Sequence, residues 1–91
     1  MNLAATLPDG ILPEVKYLND KEADCNGFHF EDRKGDGTWS AYRGDIRVWV
    51  QMIGNSWGFT AWERGNCFHG VCNYNWPRDT AIQLAALALQ S

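Results

Sequence analysis

The sequence predicts an α+β fold: an antiparallel β meander of four to five strands packed against a C-terminal helix, with a short N-terminal helix or acidic arm. Two observations carry this. Between Phe28 and Glu63 apolar and polar residues alternate with period two, broken by glycine-containing turns, and residues 77–89 form an alanine- and leucine-rich run opened by proline. A length of 91 residues with 45% hydrophobic and 21% charged side chains fits a single domain with an ordered core. Residues 1–91 thus divide into an acidic N-terminal segment (1–27), a sheet (28–74) and a helix (77–90).

In the first segment Pro13 suits a first helical turn and Gly27 a reversal, so a helix or ordered acidic arm is expected from Leu12, with Val15 and Leu18 as its apolar stripe. Phe28 and Phe30 then alternate with His29 and Glu31, and residues 33–37 have the Gly and Asp content of a loop. Residues 38–43 make the next strand, Gly44-Asp45 reverses it, and Ile46 to Ile53 is the strongest strand in the chain. Gly54-Asn55 is a type II′ or I′ hairpin turn, and residues 56–63 return alongside.

These turns fix a register. Met52 faces Trp57, Val50 faces Phe59, Val48 faces Ala61, and Ala41 and Trp39 join Val48 and Val50; this is the predicted core face. The opposite face pairs Gln51 with Gly58, Trp49 with Thr60 and Arg47 with Trp62, and adds Tyr42, Ser40 and Thr38. After the turn at residues 64–66, residues 67–72 form a last strand. A two-residue loop puts Phe68 and Cys72 inward, and a three-residue loop puts Cys67 and His69 there; the first is favoured. In the final segment Pro77 pre-organises a first turn and Asp79 complements the helix dipole. A helix apolar on nearly all sides belongs against the sheet's apolar face, and a homodimer interface would be its alternative use.

Composition narrows the function. Eleven acidic against eight basic residues give a formal charge of -3, the wrong sign for affinity built on neutralising phosphates, so direct nucleic-acid binding is disfavoured. Residues 1–6 have no positive region, and the longest apolar run, residues 84–89, is far short of the roughly 18 residues that cross a bilayer. Neither secretion nor membrane insertion is expected. Three cysteines cannot all pair within one chain, which favours a reducing cytoplasm.

Cys25, His29, Cys67, His69 and Cys72 are the residues that a zinc-stabilised module would use. Along a regular strand, however, Cys67 and His69 share a face and Cys72 points away, so convergence needs a bulge, for which Gly70 is the natural place. Packed cysteines and a surface histidine are the plainer expectation; no metal or other cofactor is expected. The same thiols and imidazoles lack a third orienting group, and GxSxG, HExxH and phosphate-binding glycine loops are missing, so no enzyme is expected. Asp32 and Asp36 do not make a calcium loop, since Lys34 stands where a ligand would.

The five tryptophans are the remaining unusual feature. Trp49 and Trp62 share the half-wet face with Tyr42 and Arg47, and Trp, Tyr and Arg dominate binding hot spots. The plainer reading is a second layer over that face. Together with the acidic Asp20, Glu22, Asp24, Glu31, Asp32 and Asp36, these residues suggest a non-enzymatic protein-binding module whose acids steer a partner with a basic surface. Small acidic phage inhibitors of nucleic-acid-binding defence complexes, the anti-CRISPR and anti-restriction proteins, are similar in size and charge, although no stretch supplies a family motif. A sheet that stacks single-stranded nucleic acid or sugar on its aromatics is the alternative.

Overall fold

Alternation and turn chemistry organise residues 12–72 and 76–90, the part of the chain that the computed structural model describes. Seven strands follow in chain order: β1 (Val15–Asn19), β2 (Glu22–Cys25), β3 (Phe28–Glu31), β4 (Trp39–Arg43), β5 (Ile46–Ile53), β6 (Ser56–Glu63) and β7 (Asn66–Cys72). They pair antiparallel with their sequence neighbours in one sheet, and helix α1 (Arg78–Gln90) follows. The class is the expected α+β, with more strands than the four to five expected.

The added strands replace the N-terminal helix or arm. Asn19 turns the chain by accepting the Lys21 amide on its side chain at 2.8 Å, and β1 returns as β2 with Val15 opposite Cys25 and Tyr17 opposite Ala23. Asn26 and Gly27 then take positive φ angles of 55° and 82°, the pairing a tight type I′ reversal demands. Apolar side chains at 15, 17, 23 and 25 have period two, so a strand puts them on one side, where a helix would scatter them; Ala23 and Cys25 are the buried ones. Expectations about residues 1–11 lie outside the described residues.

From β4 to β6 the register is the expected one: Trp39 pairs with Val50 and Ala41 with Val48, then Val48 with Ala61, Val50 with Phe59 and Met52 with Trp57. Trp39, Val48, Val50, Phe59 and Ala61 are buried. Met52 corrects the reading, since it is 53% exposed. It sits next to the hairpin tip, and its partner Trp57 only packs against the margin of the core.

The last strand departs further. The loop has two residues, Arg64 and Gly65, and Cys67 pairs with Trp62, but Ala61 pairs with His69. Phe68 is thus an extra residue, a bulge two positions before Gly70, in a strand expected to be regular. The bulge reverses the inward set: Phe68 is 51% exposed rather than buried, and His69 is half-buried with its ring 5.5 Å from Phe59. The Cys72 side chain lies outside the described part.

Helix α1 begins where the Ala81 amide bonds the Pro77 carbonyl, with Asp79 in its first turn. It contacts β1 and β2 as well as β5 and β6. Strands from both ends of the meander thus reach the helix, and Ala81, Ile82, Leu84, Ala85, Ala86, Ala88 and Leu89 are all buried on a helix with almost no polar stripe. The other, outer face of the sheet has no second layer among the described residues.

Candidate functional site

Register decides which polar side chains meet on the outer face. Asp24 pairs with His29 and Glu22 with Glu31; Glu31 pairs with Ser40 and Ser40 with Trp49; Tyr42 pairs with Arg47 and Arg47 with Trp62. Successive rungs therefore line up an acidic stripe on β2 and β3 beside an aromatic and cationic stripe on β4, β5 and β6.

In the acidic stripe His29 is the hub. Its Nδ1 lies 2.9 Å from Asp24 Oδ1 and its Nε2 lies 2.9 Å from Glu22 Oε2, with Glu31 Oε1 at 3.7 Å. A neutral imidazole donates from one nitrogen only, so two carboxylate contacts suit the imidazolium. The Asp24 hydrogen bond is the largest influence and raises the His29 pKa; desolvation opposes it, and the Glu22 hydrogen bond adds to the rise. Glu22 is held down by its hydrogen bonds from Asn19 and His29.

In the second stripe the Arg47 guanidinium lies over the Trp49 ring at 5.3 Å and the Tyr42 ring at 5.5 Å. Arg47 thus makes cation–π contacts with both rings. Tyr42 is 67% exposed, whereas Trp49 and Trp62 are half-buried, and the Trp62 indole donates to Thr60 Oγ1 at 2.9 Å. Among the described residues Arg47 has no carboxylate partner.

The remaining acids separate. Asp20 is exposed in the β1–β2 turn. Asp32 is only 6% exposed and works inside its loop, where its Oδ2 accepts the Gly37 amide at 3.0 Å and its own amide bonds the Lys21 carbonyl. Asp36 is exposed, accepts the Thr38 amide at 3.0 Å, and has its pKa lowered by that bond. Of the six acids, Glu22, Asp24 and Glu31 are the ones brought together.

The structure does not assemble the zinc set. Cys25 is buried on the core face of β2 and His29 is on the outer face of β3, while Cys67 and His69 are across the sheet on β7 and on opposite faces of it. Among the described residues no group of His, Cys, Asp and Glu has a metal-holding arrangement. Cys25 and Cys67 carry free thiols. Burial, with Asp79 nearby, pushes the Cys25 thiol up to about 11, far from a reactive thiolate at neutral pH.

Sequence reasoning missed the loop between β3 and β4 as part of this face. Arg33 and Lys34 read as ordinary turn cations, yet with Ser40 and Arg47 they line a depression of about 200 Å³ that also reaches Trp49. The available signal was the register itself, since Glu31 opposite Ser40 and Ser40 opposite Trp49 bring this loop to the central strands. No helix among the described residues is long and apolar enough to cross a membrane. Comparison with protein-family models, curated proteins and solved structures yields no match for this chain.

Proposed function

We propose that this protein is a non-enzymatic binding module that docks the outer face of its sheet on a larger protein with a basic surface. The observation that carries this reading is the juxtaposition, on one face with no second layer among the described residues, of the Glu22–Asp24–Glu31 cluster and the Tyr42–Arg47–Trp49 stack. Carboxylates at a rim raise the rate of encounter with a basic surface, and rigid aromatic and arginine side chains are the usual anchors once contact is made. The helix is spent on the core, its apolar residues being buried against the sheet, which disfavours it as the docking element. Free Cys25 and Cys67 suit the reducing cytoplasm we assign to it.

Within this reading the partner is a nucleic-acid-binding complex, and the protein acts as a phage-type inhibitor that occupies its basic channel. Size and net charge of -3 support that narrower assignment. The test is affinity capture from the native host with the wild-type chain and with Trp49→Ala. Recovery of a basic, nucleic-acid-binding complex by the first and its loss from the second supports the reading; equal recovery by both rejects this face as the docking surface.

A further inference from the structure

Apart from any protein partner, the outer face carries a shaped groove. Its floor is Ser40 on β4 and Arg47 on β5, and its wall is the loop at residues 32–38. That loop is pinned from inside: Asp32 bonds the Lys21 carbonyl through its amide at 2.8 Å, and its carbonyl and carboxylate accept the Gly35 and Gly37 amides at 3.2 and 3.0 Å. Arg33 and Lys34 therefore project from a fixed turn.

The smaller lobe, about 200 Å³, collects Arg33, Lys34 and Arg47 with the residues Thr38 and Ser40. Its one carboxylate, Asp36, already accepts the Thr38 amide. Arg33 also lies 3.9 Å from Glu31 of the adjoining lobe, so three cations against the engaged Asp36 and Glu31 leave a local excess of about one positive charge in a chain whose net charge is -3. The larger lobe, about 300 Å³, shares Arg33, Ser40 and Arg47 and adds Phe28, Glu31 and the outer-face residues His29 and Tyr42. That volume reaches the lower end of the range for small-molecule sites, about 300–1,000 Å³.

We propose that this groove binds a small phosphate monoester carrying a flat ring, of which a nucleoside monophosphate is the simplest case. The phosphate occupies the smaller lobe and the ring the larger. A phosphate fits the donor set better than a carboxylate does: one guanidinium satisfies both oxygens of a carboxylate, whereas a dianion with three terminal oxygens uses Arg33, Lys34, Arg47 and the two hydroxyls together. The rings beneath Arg47 hold its guanidinium in place, so little side-chain freedom is lost on binding. A long nucleic-acid strand is a poorer occupant, because Glu31 and the adjoining Glu22 and Asp24 would meet its phosphates as it left the larger lobe.

The test is titration of ¹⁵N-labelled full-length protein with adenosine monophosphate, followed by amide and indole shifts, with no protein partner present. Its outcome is therefore independent of the docking proposal. Saturable shifts at the Trp49 indole, Ser40 and residues 33–38 are expected, with competition by inorganic phosphate and weaker binding of adenosine. Arg47→Gln, and separately Arg33→Gln with Lys34→Gln on the exposed loop, should each weaken binding about tenfold or more, and Arg47→Lys should fall between. Shifts that fail to saturate at millimolar ligand, adenosine binding as well as its phosphate, or unchanged affinity in both folded variants would overturn the proposal. So would single-stranded oligonucleotides whose affinity climbs with length, since that result assigns an extended strand to the face.

Discussion

His29 shows how single side chains on the sheet couple the surface to pH. Its pKa is raised in the fold, first by Asp24 and then by Glu22, so its stabilising contribution is complete below the ordinary value of 6.5 and fades as pH rises through the folded value. Glu22 has the opposite sign: its contribution is present above the ordinary 4.5 and is lost as pH falls through its lowered folded value. Between these limits the His29 ring and the Glu22 carboxylate are charged together. The His29 ring should titrate by NMR with a midpoint above 6.5, and His29→Gln should remove part of the decline in urea midpoint between about pH 6 and pH 8. A midpoint at or below 6.5 would show that the carboxylates do not hold the imidazolium. In the core the contrast is steric. Phe59→Ala should cost about 3–5 kcal/mol and Val50→Ala about 2 kcal/mol in urea unfolding, because both are fully enclosed. Met52→Ala, on the same face but half out in water, should cost less than about 1 kcal/mol. Period two assigned all three to one face; it carries no information on where along the strand the helix stops covering that face.

At the level of elements, legibility followed the turn chemistry. Gly44-Asp45 and Gly54-Asn55 each admit one tight reversal, so β4, β5 and β6 and their pairing could be read from the residues alone. The β1–β2 hairpin was hidden because its turn at Asp20 and Lys21 has no glycine and its strands are short, with polar residues in β1 and acids in β2 as on a helix surface. The bulge in β7 was hidden for another reason: nothing local distinguishes an extra residue from a paired one, and only the inward demand of the neighbouring strand selects it. Because Phe68 is that extra residue, deleting it should leave Cys67 opposite Trp62 and His69 opposite Ala61, and should change the unfolding free energy by less than about 1 kcal/mol. Deleting Gly70 instead takes Val71 off its pairing with Phe59 and should be far more damaging. Thermal midpoints of the two deletions decide it; equal losses would mean that Phe68 is part of the regular ladder.

For the whole molecule, the two faces of the sheet have different work. One is closed by α1, and its residues were mostly legible because burial follows hydrophobic pattern; the other was only partly legible, since His29 meets Asp24 and Glu22 only through the β2–β3 pairing and the cations of the β3–β4 loop meet Arg47 and Trp49 from another hairpin. That division makes the docking proposal testable with two separable sets of residues. Charge reversal at Glu22, Asp24 or Glu31 should mainly slow association with the captured partner and flatten its salt dependence, because exposed rim charges act on encounter. Asp20 should behave alike, being exposed, whereas changing the enclosed Asp32 should instead lower the thermal midpoint by loosening its loop. Trp49→Ala or Trp62→Ala should mainly speed dissociation, at about 2 kcal/mol or more if the residue is an anchor. Surface plasmon resonance at two salt concentrations separates the rates, and circular dichroism melting follows the fold. If both tryptophan variants keep the wild-type dissociation rate while their midpoints drop, the two rings are a structural layer of the sheet, and the protein docks through another surface.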